Sequence, residues 1–297
     1  MSKLSSGEKI FSILNNIFLV GLCLVFLIPF LSVIMTSFVG AAEYARRGAF
    51  ILIPEEFDFT AYRLFFRRSS IVINAYQITL FRVFVGTSLN LLFTATLAYV
   101  LSKRNLPGRI PLTIFVFITM IFSGGLIPNF MLMDILGLLD NIWVLILPGL
   151  INPFYLLIMR NFFMGIPAEL EEAAIIDGAS PPIILLRIIL PLSMPAIATI
   201  GLFYAVWHWN AWFDAAIYLS DLQKMPVQVI LRGILDAAQS ASSTGDVLSV
   251  MLEVDEMPPG QSLKAAMIMV TTLPILIVYP FIQQYFVKGA LIGGIKG

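Results

Sequence analysis

Residues 17–39 run for about 23 positions without a charged side chain, enough for a helix to cross the ~30 Å hydrocarbon core of a bilayer. No water satisfies the backbone inside lipid, so a spanning segment is either a helix or a strand of a closed barrel. Barrel strands are about ten residues long and alternate in polarity, and this run does neither. Similar apolar runs fall at 11–39, 71–101, 110–132, 142–163, 192–213 and 265–287. Only 12% of the 297 residues are charged and 59% are hydrophobic, whereas soluble domains carry about 25% charged residues. The chain is predicted to be an all-α, multi-pass membrane protein, a single transmembrane domain of six helices over 1–297. Lys3 and Lys9 ahead of the first run imitate a signal peptide. The run is too long for one, however, and no small-residue cleavage site breaks it.

Six spans place both termini on one side. The bias of Lys and Arg normally sets that side, but here the 18 basic residues split evenly. The first outer loop is the cause, since it holds Arg46, Arg47, Arg63, Arg67 and Arg68. The tight loop 102–109, with Lys103, Arg104 and Arg109, argues for the inside. Residues 62–68 of the outer loop, aromatic and basic by turns, read as an amphipathic helix along the interface.

Several functions are excluded. A formal net charge of +0 gives no electrostatic footprint for nucleic acid. One histidine and one cysteine make neither a metal cluster nor a disulfide framework. No Gly-Lys dipeptide occurs, so the chain lacks a phosphate-binding P-loop. If ATP drives it, another polypeptide binds the ATP and its Mg, and this chain needs no cofactor.

Residues 164–191 form a charged island between apolar runs, with Glu169, Glu171, Glu172 and Asp177. Pro167 marks a helix start, and acids in the first turn suit the helix dipole. Gly178 is predicted to stop that helix with a positive φ, and Ser180-Pro181 to open another as N-cap and first residue. Ala173 and Ala174 present almost no side chain, which suits the close approach of a partner. Further on, Trp207, Asn210 and Asp214 share one face of a continuous helix by spacing, while Ala198, Gly201, Ala205 and His208 share another, suited to tight crossing. An aromatic belt explains the tryptophans; Asn210 and Asp214 fit a wet cavity better. Arg82 reads either as a side chain snorkelling to the outer interface or as a contact for an anionic substrate. The long polar segment 214–264 is expected outside, and the glycine-rich tail 288–297 is either a frayed end or a close backbone contact.

The order Glu172-Ala173-Ala174, Gly178, Ile188, Leu190-Pro191 resembles the EAA signature of ABC importer permeases. The six-span plan, Trp209-Asn210 and the Lys-Gly ending extend that resemblance over nearly the whole chain, to the smaller permease of maltose-type carbohydrate importers. The stretches 122–128 and 279–289 resemble its branch for complex polysaccharide fragments, including alginate-type importers. The resemblance implies a type I ABC importer fold in which 164–191 is a cytoplasmic coupling helix-turn-helix. It implies that Glu172, Ala173, Ala174, Asp177, Gly178, Ala179, Leu190 and Pro191 couple to the ATPase, and that Gly293, Gly294, Lys296 and Gly297 reach between ATPase subunits. It places Trp207, Asn210, Asp214 and Arg82 as candidate pore residues. The implied partners are an ATPase dimer, a second permease (a paralogue), an extracytoplasmic solute-binding protein that meets the 214–264 segment, an oligosaccharide and the lipid of the cytoplasmic membrane, with both termini in the cytoplasm. The alternative from another class, an ion-gradient secondary transporter, would show internal repeats and acids deep in its spans; the chain shows neither.

Overall fold

The computed structural model describes residues 6–48, 50–67, 69–239 and 260–293. All regular structure among them is helical. Contacts divide the chain into two units, 1–69 with 231–274, and 70–230 with 275–297.

In the first unit α1 (Ser6–Thr36) is apolar on every side and hardly buried within the chain. Such a helix is destined for lipid or a partner. Beyond it, α2 (Ala41–Arg47) and α3 (Thr60–Arg67) form the segment between the first two apolar runs. Glu43, 6% exposed, organises that segment. It accepts from the Glu55 amide at 2.9 Å and from Arg47 Nη1 at 2.6 Å. Those two donors hold its carboxyl below the usual range, against the opposing pull of burial. Phe38 packs edge-on against Phe57 and Phe59 and stacks on Tyr62.

The second unit holds the candidate sites. α4 (Ser69–Phe81) passes through a π-turn at Arg82–Gly86 into α5 (Thr87–Ser102), giving one continuous span. The third apolar run is instead broken. α6 (Arg109–Ile121) and α7 (Leu126–Ile135) are bent by 112°, because Phe122 is extended and Gly125 takes a φ of +83°. The fourth run opens as short 3-10 turns over 142–149 and then bends by 51° into α8 (Pro153–Met164). Asn152 starts α8 by accepting from the amides of Phe154 and Tyr155, the cap that satisfies orphan donors. α9 (Ala168–Ile176) and α10 (Pro181–Leu192) follow, and an 87° elbow at Ser193 leads into α11 (Met194–Asn210). α12 (Phe213–Tyr218), α13 (Val227–Gln239) and α14 (Gly260–Gly293) complete the order.

Among the described residues, two helices are thus long and apolar enough to cross a membrane outright, and up to five spans result if each bent pair counts as one. The core of the second unit is built where α5, α8 and α11 meet, around Ala98, Tyr99, Leu156, Met159, Ile200 and Tyr204. Tyr204 closes it polarly: its hydroxyl bonds Thr94 Oγ1 and accepts from the Asn152 amide, both at 2.9 Å. Asp140 (φ +54°) staples two turns by accepting from the amides of Ser220 and Asp221 and pairing with Lys224. Lys224, then those amides, holds its carboxyl below the usual range.

Candidate functional site

The charged island folds as its local chemistry dictates. Pro167 precedes α9 in an extended conformation, and Glu169 and Glu171 occupy its first turn. Gly178 has a φ of +81°. Its amide bonds the Ile175 carbonyl, and the Ala179 amide bonds the Ala174 carbonyl. This paired pattern is the Schellman ending, which needs a residue at ease in the left-handed region. A Cβ at Gly178 would meet nothing within 4 Å, so backbone conformation, not space, demands glycine here. Ser180 then opens α10 with Pro181, although its hydroxyl makes no capping bond.

α9 has two faces. Glu172, Ala173, Asp177 and Gly178 are exposed, and Ile176 is 85% exposed. Ala174, by contrast, is buried among Tyr99, Phe163 and Ile184 of its own chain. Of the two alanines only Ala173 is open to a partner; the smallness of Ala174 lets α9 lie close on its own spans. Ala179 and Leu190 are half-buried against the same core, and Pro191, exposed, precedes the Ser193 elbow. On the buried side Glu171 Oε1 accepts from the Tyr99 hydroxyl at 2.8 Å and forms an ion pair with Lys103.

At the other end of α11 lies a cavity of about 780 Å³ lined by Tyr155, Phe203, Trp207, Asn210, Trp212 and Asp214, among others. Trp207, Asn210 and Asp214 therefore do meet, but not by helical spacing. α11 stops at Asn210, Ala211 is extended, and Asp214 belongs to α12. The single-helix stripe is corrected to a chain turn that folds Asp214 back beside Trp207. The Asn210 amide group donates to the Val206 carbonyl at 2.8 Å.

Arg82 requires a larger correction. It is 0% exposed, so it neither snorkels nor offers a free charge to a substrate. Its guanidinium pairs with Asp214 through both terminal nitrogens, donates from Nη1 to the Ala211 carbonyl at 3.3 Å, and lies over the Trp207 ring at 5.6 Å. Its Nε donates to His208 Nδ1 at 3.2 Å. That bond places the histidine proton on Nε2, which donates to Asn90 Oδ1 at 2.7 Å; the tautomer follows from the network. Asn90 in turn donates to the carbonyls of Gly149 and Leu150, both at 2.8 Å. A buried charge persists only with such partners.

The small-residue face of α11 does provide tight crossing. A Cβ on Gly86 would sit 2.5 Å from His208 Nε2, and one on Gly201 3.0 Å from Leu91 Cδ1. Sequence reasoning missed Asn90, His208, Tyr99, Lys103 and Glu171 as partners. The rule that intramembrane ionisable groups pair with one another was the available signal for Arg82 with Asp214. In the tail, Gly293 ends α14; Gly294, Lys296 and Gly297 lie outside the described residues, as does 240–259 of the polar segment 214–264.

Known proteins resemble this arrangement end to end. A family model for binding-protein-dependent transport system inner membrane components matches residues 5–291. The polygalacturonan/rhamnogalacturonan transport system permease protein YtcP of Bacillus subtilis (strain 168) is 45% identical, over 98% of this chain and 99% of its own. Protein LplC of the same organism is 44% identical, over 99% and 97%. The crystal structure of a bacterial ABC transporter involved in the import of the acidic polysaccharide alginate contains a chain that superposes with a TM-score of 0.82 at 32% identity, covering 96% of this chain and all of that one. Nothing in these comparisons supports an ion-gradient transporter. Permeases of this family leave ATP hydrolysis to a separate subunit and work with a substrate-binding protein and a second permease. The chain belongs to the inner membrane components of binding-protein-dependent transport systems, the permease subunits of ABC importers.

Proposed function

We propose that this permease passes an oligosaccharide across the cytoplasmic membrane by alternating access, and that its cavity touches the sugar. The observation that carries this reading is the cavity itself. Five of its ten lining residues are aromatic, and Asn210 and Asp214 stand among the others. Sugar rings have apolar C–H faces that lie well on aromatic rings, and hydroxyls that donate to a carboxylate or an amide oxygen. The polygalacturonan/rhamnogalacturonan relative supports a saccharide cargo. Trp207→Phe and Asn210→Leu are therefore expected to change uptake unequally across a panel of oligosaccharides in reconstituted vesicles. Uniform wild-type uptake by both variants would reduce the tryptophans to an interfacial belt.

The finer plan has six spans with both termini in the cytoplasm, a paralogous second permease, and an ATPase dimer that binds ATP and Mg. The exposed face of α9, with Glu172, Ala173, Asp177 and Ile176, docks on that ATPase, and the tail with Gly293, Gly294, Lys296 and Gly297 reaches between its subunits. The outer segment 214–264 meets the binding protein. Gly178→Val tests the docking turn. A β-branched side chain in the left-handed region costs at least ~1–2 kcal/mol, at a turn that holds α9 against α10. Binding-protein-stimulated ATP hydrolysis and uptake are expected to fall together while membrane insertion stays normal. Wild-type coupling in this variant would remove the turn from the docking surface.

A further inference from the structure

We propose that Glu171 is a positioning residue that fastens α9 to the span Ile71–Ser102, and that this span carries ATPase movement to the Arg82–Asp214 pair at the cavity. The proposal rests on the reading of α9 as the ATPase-docking helix. Glu171 lies about 100° around α9 from Glu172 and about 140° from Ile176, on the flank that reaches α5. One carboxylate oxygen, Oε1, takes both the Tyr99 hydroxyl and the Lys103 ammonium. Tyr99 and Lys103 are four apart, so they share a face at the end of α5, and the Lys103 ammonium lies 3.7 Å from the Tyr99 ring centroid. The group is semi-enclosed, with the Lys103 and Glu171 side chains 29% and 24% exposed. Beside it, Arg160 Nε donates to the Leu101 carbonyl at 3.0 Å and draws α8 to the same end of the span.

The span carries a second set of polar ties near its middle. Arg82 holds Asp214 and His208, and Asn90 holds His208 and the 149–150 carbonyls. From Arg82 to Lys103 the helix rises about 30 Å at 1.5 Å per residue. A continuous hydrogen-bonded helix tied near its middle and at one end moves as a body between the two ties, so a pull on Glu171 is felt at Asp214, which lines the cavity. Packing alone would leave α9 free to roll on the smooth surface around Ala174. An ion pair with a hydrogen bond to the same oxygen fixes its rotation. An ion pair of this exposure adds little stability, which suits a part whose work is direction.

The test uses the whole importer with its second permease, ATPase and binding protein in proteoliposomes. Glu171→Ala is expected to retain the ATPase on purification yet lower the ratio of binding-protein-stimulated to basal ATP hydrolysis by about fivefold or more, the low end of typical coupling factors. Lys103→Glu alone should do the same, and the charge exchange of Lys103→Glu with Glu171→Lys should recover at least about half of the ratio. A fold-only role would lower yield and leave the ratio alone. A wild-type ratio in Glu171→Ala overturns the proposal, and so does a charge exchange no better than Lys103→Glu. Loss of the ATPase from Glu171→Ala would also overturn it, by placing Glu171 on the docking surface. Ile176→Asp separates the two ideas. If it fails to release the ATPase, the docking reading itself falls. If it releases the ATPase while Glu171→Ala couples normally, only the fastening role of Glu171 falls.

Discussion

Asp214→Ala is expected to destabilise the permease by about 3–5 kcal/mol, the usual consequence of leaving one member of a buried ion pair alone. Arg82 is 0% exposed, set among Trp207, His208 and the Ala211 carbonyl, with Asp214 as the acid that balances it. Its remaining bonds, to an imidazole nitrogen and a carbonyl, do not balance a full positive charge. The effect would appear as a lower midpoint in thermal unfolding of the purified complex and as reduced yield. The double change Arg82→Met with Asp214→Ala should regain much of the loss, because a methionine leaves no stranded charge and fills most of the space. Additive losses would show that the two side chains act independently, contrary to their geometry.

Gly86→Val should be the most disruptive of the glycine substitutions in the second unit. Its Cβ would lie 2.5 Å from His208 Nε2, closer than real contacts allow. The ring cannot retreat without cost, since Arg82 holds one nitrogen and Asn90 the other. Overpacking of this kind costs about 1–3 kcal/mol, with the broken polar chain in addition. Gly201→Ala makes a useful contrast: its Cβ would meet the far end of Leu91 at 3.0 Å, and a leucine methyl can turn aside. Thermal midpoints should rank wild type above Gly201→Ala above Gly86→Val. Adding His208→Ala to Gly86→Val should restore part of the loss by making room; no recovery would show that the clash lies elsewhere.

Much of the fold is readable in sequence where the cause is local. Pro167, Gly178, Ser180 and Pro181 act through their own backbone preferences, and the turn forms where those preferences place it. The long apolar runs likewise announce helices. The bends are not announced, because lipid solubility sets composition without setting direction. Gly124-Gly125 sits inside an apolar stretch that looks continuous, and only φ at Gly125 breaks it. Partnerships are harder still. Arg82 and Asp214 are 132 residues apart, and each taken alone suggests an interfacial or substrate-facing group. Ala174 beside Ala173 illustrates the same limit: identical side chains, one turned to solvent and one into the core, distinguished by what α5 and α8 place opposite them.

The π-turn at Arg82–Gly86 has a consequence for counting. Such a turn accommodates one residue more than an α-helix of the same path. Everything after it is therefore rotated by about 100° from the regular wheel. Thr94, Ala95, Ala98 and Tyr99 reach Tyr204, Leu156 and Met159 in that shifted phase. Closing the turn into regular α-helix with every residue kept would swing Asn90 off His208 while changing none of the side chains that do the packing. Deleting one residue among 83–85 should instead leave the later residues in their present phase, so at this point of the chain the turn and the residue count compensate each other.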